Sequence, residues 1–349
     1  MNNFLKTLLK TPYFAEICAK KEENIDSLIH FKDLLYNFDK SIKTQKDLSL
    51  YNNEELINEV GFYAFALLDL DYDNAQDRDF LFNYLFKSLH VLDENEYLNN
   101  PYQKNIKFID KKLGHWEFKK SKYSPLELFV FDNSKYINNK EIPNIGFFKN
   151  DFYYDAVYKD NLLWMSITPN EINTMKEPIN NAFGKCLVLG LGLGYFQYMI
   201  SNKDNVTSID IVELDKDVIS LFKNNILTQF DKSNKIRIIN YDAYKFLQEN
   251  DLSNYDYIFI DLYHDTWDGL MWLIKLIKLE KENIKYDYWI KKPILNLFKN
   301  TVITTLENIN DLSNMDEIYQ NIYSGIEKSD VASEEIFMES GLIKILKEM

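Results

Sequence analysis

One stretch limits this chain to a short list of folds: Cys186-Leu-Val-Leu-Gly190-Leu-Gly192-Leu-Gly194-Tyr195. An apolar run without alternation is the pattern of a strand covered on both faces, as in a parallel sheet. Three glycines follow at once. Glycine permits a tight turn and close approach of backbone to a ligand, and a following helix offers free N–H groups. The dinucleotide fingerprint needs its third glycine one position later, where this chain has Tyr195. Nicotinamide and flavin dinucleotides are therefore disfavoured.

Three acids extend the pattern. Val206 to Val212 reads as a second strand, with Glu213 about twenty residues after the turn, where an acid can accept both hydroxyls of a ribose. Ile236-Arg-Ile-Ile239 reads as a third strand, followed by Asp242-Ala243, placed where an adenine amino group would be read. Tyr257-Ile-Phe-Ile260 reads as a fourth, followed by Asp261. Open α/β sheets bind ligands at the carboxyl ends of their strands, and all three acids fall there. One acid after a strand is usually a helix cap; three in series behind a glycine turn point to a ligand.

The stretch Val212-Glu-Leu-Asp215, Asp242-Ala-Tyr244 with Phe246, and Tyr255-Asp-Tyr-Ile-Phe-Ile-Asp261 resembles the core of the class I S-adenosylmethionine-dependent methyltransferases, and within them the spermidine synthase-like branch. The resemblance covers roughly residues 145 to 265 and implies a Rossmann-like, mostly parallel sheet with S-adenosylmethionine as cofactor. It implies that Gly190, Gly192 and Gly194 bed the methionine part, Glu213 holds the ribose, and Asp242 with the Ala243 backbone faces the adenine. Asp261 matches the acid that, in aminopropyl transferases, helps deprotonate and orient the attacking amine.

Two departures shape the expected activity. Spermidine synthases carry an aspartate inside the glycine turn, where this chain has Leu191 and Leu193. They carry a tyrosine–histidine–glutamate run ahead of the domain, where this chain has Ile167-Thr-Pro-Asn-Glu171-Ile. The first expectation is therefore a methyltransferase acting on a small or cationic acceptor. The second is an aminopropyltransferase, and the third a cofactor-binding scaffold without chemistry. A sulfonium methyl is already electrophilic, so positioning in a dry site supplies most of the rate. Where a base is needed, Tyr263-His264-Asp265 beside Asp261 is the one cluster that offers it, so Asp261, His264 and Asp265 are the catalytic candidates. Trp267 and Tyr195 are candidates for pocket walls or for core.

The remaining chain frames this centre. Residues 1–100 hold one glycine, Gly61, and one proline, Pro12, and space apolar residues helically at Leu28, Phe31, Leu34, Leu35, then Leu56, Val60, Tyr63, Leu67, then Leu81, Tyr84, Leu85, Leu89. Asn52 and Asn53 ahead of Glu54-Glu55 mark a helix start. This helical domain reads as structural or oligomeric, leaving a homodimer open. Residues 101–169 read as a β-rich connecting element, with a hairpin around Lys159-Asp160-Asn161. The lysines from Lys107 to Lys122 read as a solvated face. Thr168-Pro169 reads as the entry to a short helix ending before Pro178. Residues 170–349 read as the Rossmann-like domain with a helical C-terminal extension. Tyr286 to Ile290 is the expected fifth strand, and Thr301 to Thr305 the one further candidate.

Net charge is −14 with four histidines. An acidic chain repels phosphate backbones and argues against nucleic acid as a partner. Cys18 and Cys186 are too few and too far apart for a disulfide framework or a thiolate metal site, so no metal is expected. No basic, then apolar, leader opens the chain, and the longest apolar run is too short to span a bilayer. The expectation is a soluble cytoplasmic protein with a small-molecule substrate.

Overall fold

The computed structural model describes residues 48–298, apart from residues 69 and 139. Cys18, the spacing from Leu28 to Leu35, the strand candidate Thr301 to Thr305 and the helical extension beyond residue 298 lie outside the described residues.

Twelve strands lie among the described residues. They are β1 (Leu89–Val91), β2 (Lys111–Leu113), β3 (Trp116–Tyr123), β4 (Phe129–Ile137), β5 (Lys140–Phe147) and β6 (Phe152–Lys159), followed by β7 (Leu162–Ser166), β8 (Gly184–Leu189), β9 (Val206–Glu213), β10 (Ile236–Asn240), β11 (Tyr257–Ile260) and β12 (Lys285–Tyr288). They form sheets ordered β1-β5-β4, β2-β3-β6-β7 and β10-β9-β8-β11-β12. The chain divides into two compact units. Within the described residues the first takes 48–99, 121–154 and 168–173, and the second 100–120, 155–167 and 174–298.

The first unit contains the helix Asn53–Leu67, which starts where Asn52 and the following acids indicate. The Asn52 side chain accepts from the Glu55 N–H at 3.0 Å, and Glu55 accepts from the Asn52 N–H at 2.9 Å. This reciprocal box satisfies two otherwise orphaned donors. Leu56, Val60, Leu81 and Leu85 share one buried core with Leu128, Ile142, Ile145 and Phe147. The helical reading fails at its end. Leu81–Leu85 winds into a π-helical turn, and Leu89 begins β1, which runs parallel to β5. β1 exists because of pairing with residues more than fifty positions away, and helical spacing carries no trace of that.

The second unit is built on the five-stranded sheet. Each of its four pairings is parallel. Helices Tyr195–Ser201, Lys216–Asn225, Ala243–Glu249 and Thr266–Leu276 alternate with its strands. Both faces are covered. Leu187, Leu189, Val212, Ile258 and Ile260 pack into a core with Leu247, Leu270, Leu273 and Ile274. Phe259 lies on the other face and stacks on Phe196 at 4.0 Å. That double covering is why the strand runs do not alternate. The strand order reverses between β8 and β11, the place where open sheets leave a crevice. β12 is the expected fifth strand, starting one residue earlier and ending two residues earlier than expected.

One local feature departs from expectation and one is made more specific. The short helix after Thr168 is two helices, Pro169–Thr174 and Lys176–Asn181. Pro178 sits in the first turn of the second, where its missing N–H costs nothing. The lysines from Lys111 to Lys122 lie on β2 and β3, and Lys119, Lys120 and Lys122 each meet an acid within 4.0 Å. Among the described residues no helix is long and apolar enough to cross a membrane.

Candidate functional site

The carboxyl ends of β8, β9 and β11 are tied to one another by backbone contacts around the glycine turn. The Gly190 N–H donates to the Val212 carbonyl at 3.0 Å, and the Asp261 N–H donates to the Leu189 carbonyl at 2.9 Å. Gly190 has φ +98, and a β-carbon on it would lie 2.0 Å from the Asp261 carbonyl oxygen. The residue must be glycine for the turn and the acid to stand this close. Buried Gln197 holds the turn from below, its amide donating to the carbonyls of Gly190 at 3.1 Å and Leu191 at 3.3 Å. The Tyr102 hydroxyl donates to the Leu193 carbonyl at 2.7 Å. Leu191 and Leu193 are buried, so the turn presents backbone and apolar carbon.

The acids differ in what occupies them. Glu213, the last residue of β9, accepts from the Leu191 N–H at 3.3 Å and from the Asp215 N–H at 2.8 Å, one on each oxygen. A carboxylate has about four acceptor positions, so both oxygens retain capacity for further donors. Burial raises its carboxyl above the ordinary value, against those backbone hydrogen bonds. Asp242 caps the helix Ala243–Glu249, accepting from the Lys245 N–H at 2.8 Å. Asp265 caps the helix Thr266–Leu276, accepting from the N–H groups of Trp267 at 2.9 Å and Asp268 at 3.0 Å. Asp261 caps nothing. Burial alone pushes its carboxyl up to about 7. A carboxyl poised near neutrality at the mouth of a sheet suits proton transfer.

The β6–β7 hairpin lies over this end of the sheet. It forms where Lys159-Asp160-Asn161 indicates, with Lys159 opposite Leu162. Asp160 and Asn161 take φ +49 and +66 in the two-residue turn, residue types that tolerate this conformation. From Asp155 onward the hairpin belongs to the second unit. Opposite β6, Met165 pairs with Val157 but Leu163 pairs with Tyr158, so Trp164 is an extra residue in a bulge. The Met165 sulfur rests on the glycine turn, 2.1 Å from where a Gly192 β-carbon would stand. The Trp164 ring meets the His264 imidazole edge-on at 3.9 Å. Trp116, on the neighbouring β3, donates from its indole to Asp215 at 2.9 Å and meets Trp164 at 5.4 Å. The Lys159 ammonium lies 5.1 Å from each of those two indole rings.

The structure thus gathers Gly190, Gly192, Glu213 and Asp261 at one end of the sheet. His264 follows Asp261 closely, exposed, with Nδ1 3.7 Å from the Asp268 carboxylate. Gly194 starts the helix Tyr195–Ser201, where a β-carbon would meet the Phe222 ring. Tyr195 is core, its hydroxyl accepting from Asn100, whereas Trp267 is exposed. Sequence reasoning missed Trp164, Met165 and Gln197 as parts of the site. A polar Gln197 inside an apolar run was the one visible signal among them.

Residues 174–268 match the family model of the spermine/spermidine synthase domain. This is the stretch in which the acids and glycines reside, and it is spermidine synthase-like, within the class I methyltransferase resemblance that those residues carry. Among solved structures, spermidine synthase from Thermotoga maritima is 14% identical, covering 42% of this chain and 55% of that one, with a TM-score of 0.30. A spermidine synthase in complex with the transition state analogue AdoDATO is 12% identical over 48% of this chain and 60% of that one, TM-score 0.30. A putative S-adenosylmethionine-dependent methyltransferase from Streptococcus mutans is 17% identical over 42% of this chain and 43% of that one, TM-score 0.30. The chain therefore spans about half the length of the structures it matches. No curated protein matches it.

Proposed function

We propose, starting from a domain that is spermidine synthase-like over residues 174–268, that this protein is a transferase using an S-adenosylmethionine-type sulfonium cofactor. The observation that carries the reading is the pairing of a β-carbon-free turn at Gly190 and Gly192, at the end of β8, with two acids that cap no helix, Glu213 and Asp261, at the ends of the strands on either side of it, β9 and β11. The arrangement fits the cofactor. Glu213 keeps acceptor capacity for a ribose diol, the turn gives backbone access to the chain on sulfur, and Asp242-Ala243 stands at the neighbouring strand end for the base. When bound, such a cofactor supplies an electrophilic carbon next to a positively charged sulfur.

The chain's own groups then have definable tasks. Asp261 attracts a protonated amine and, charged above about 7, takes its proton. Trp164 beside His264 and Met165 over the turn line that end of the sheet with apolar surface. His264 and Asp265 flank the acid; Asp265 fixes the helix start and His264 faces the ring of Trp164. The acceptor we infer is a small amine.

Two transferred groups are supported by different observations. Leu191 and Leu193 in the turn favour methyl transfer, because the aminopropyl donor ends in a lone ammonium and no acid is present in the turn to receive it, whereas the amino-acid chain of the methyl donor carries its own carboxylate. The family match favours aminopropyl transfer. Binding tests the common premise: Glu213→Ala should weaken S-adenosylhomocysteine binding by about a hundredfold, read by calorimetry. Equal binding by wild type and variant would remove the ribose assignment.

A further inference from the structure

We propose that Met165 is a specificity-determining residue that sets how long a chain on the ligand's sulfur the glycine turn admits. The inference rests on the cofactor reading above and names what this chain adds to it.

Three observations place Met165 in that role. Its sulfur and terminal methyl lie 2.1 Å and 2.8 Å from the position of a β-carbon on Gly192, so the thioether fills the volume that the glycine leaves open. The bulge at Trp164 is what brings it there. Without the extra residue, β7 would point successive side chains to alternate faces; with it, Trp164 and Met165 both reach the ligand end of the sheet. Trp164 is seated against His264 and Trp116, which fixes the strand beside Met165. Finally, the turn offers no polar side chain in compensation, since Leu191 and Leu193 are buried carbon. A ligand chain lying along the turn must displace the Met165 thioether, and a charged chain end gains no partner from the two leucines when it does. A short chain avoids the conflict.

Titration calorimetry on the full chain with two probes tests this. S-adenosylhomocysteine carries an amino-acid chain on sulfur; methylthioadenosine carries a methyl. Met165→Ala should tighten S-adenosylhomocysteine about tenfold relative to methylthioadenosine, and Met165→Leu, which refills the volume, should restore the wild-type ratio. An unchanged ratio in Met165→Ala, with methylthioadenosine still bound, overturns the role of Met165 and leaves the cofactor reading standing. Failure of both probes to bind wild type and variant alike overturns the cofactor reading, and this inference with it.

Discussion

Gly190 has no neighbour able to make room for a side chain. The atom against it is the Asp261 carbonyl oxygen, fixed by the β8–β11 ladder, and its φ is +98. Gly192 also has positive φ, but its neighbour is the end of a flexible methionine. Gly190→Ala should therefore cost about 2–4 kcal/mol in urea unfolding, and Gly192→Ala should cost less. Equal losses would mean that the backbone contact is not what holds Gly190. The glycines themselves were legible in the sequence, because a turn after a buried strand has few other solutions. The reason Gly190 is indispensable was not, since Asp261 stands seventy-one positions along the chain.

At the scale of elements, the acids separate into two kinds that residue identity alone does not distinguish. Asp215, Asp242 and Asp265 sit in the turns after strands and cap the helices that follow. Glu213 ends a strand and Asp261 comes directly after one, and neither caps a helix. A short aspartate one turn later is positioned to accept from helix N–H groups, so capping takes it first. The strand runs of the parallel sheet, the hairpin and the start of the Asn53–Leu67 helix were all readable, because each is a local pattern. β1 and the bulge at Trp164 were not. β1 arises from pairing with a segment more than fifty positions away, and a bulge changes register without changing composition.

For the whole molecule, Asp261 writes its environment into the pH dependence of stability. Its carboxyl is raised from the ordinary value to about 7 by burial, so the native state holds a proton there that the unfolded chain gives up near 4. Ligand-free wild type should lose stability relative to Asp261→Asn as pH rises from about 4 to about 7, and the difference should then level off. Urea midpoints across that range would show it; a constant difference would mean the acid is not desolvated. A different consequence follows from the hairpin. Among the described residues β7 is the outer strand of its sheet, with Leu162 75% and Leu163 49% exposed. Such an open border is a template on which another chain can extend the sheet and begin to aggregate. The extra residue at Trp164 breaks the spacing of its free N–H and C=O groups, so an incoming strand would pair over roughly two or three residues before falling out of step. The kink that seats a methionine on the turn thus also shortens the margin along which a second strand could pair.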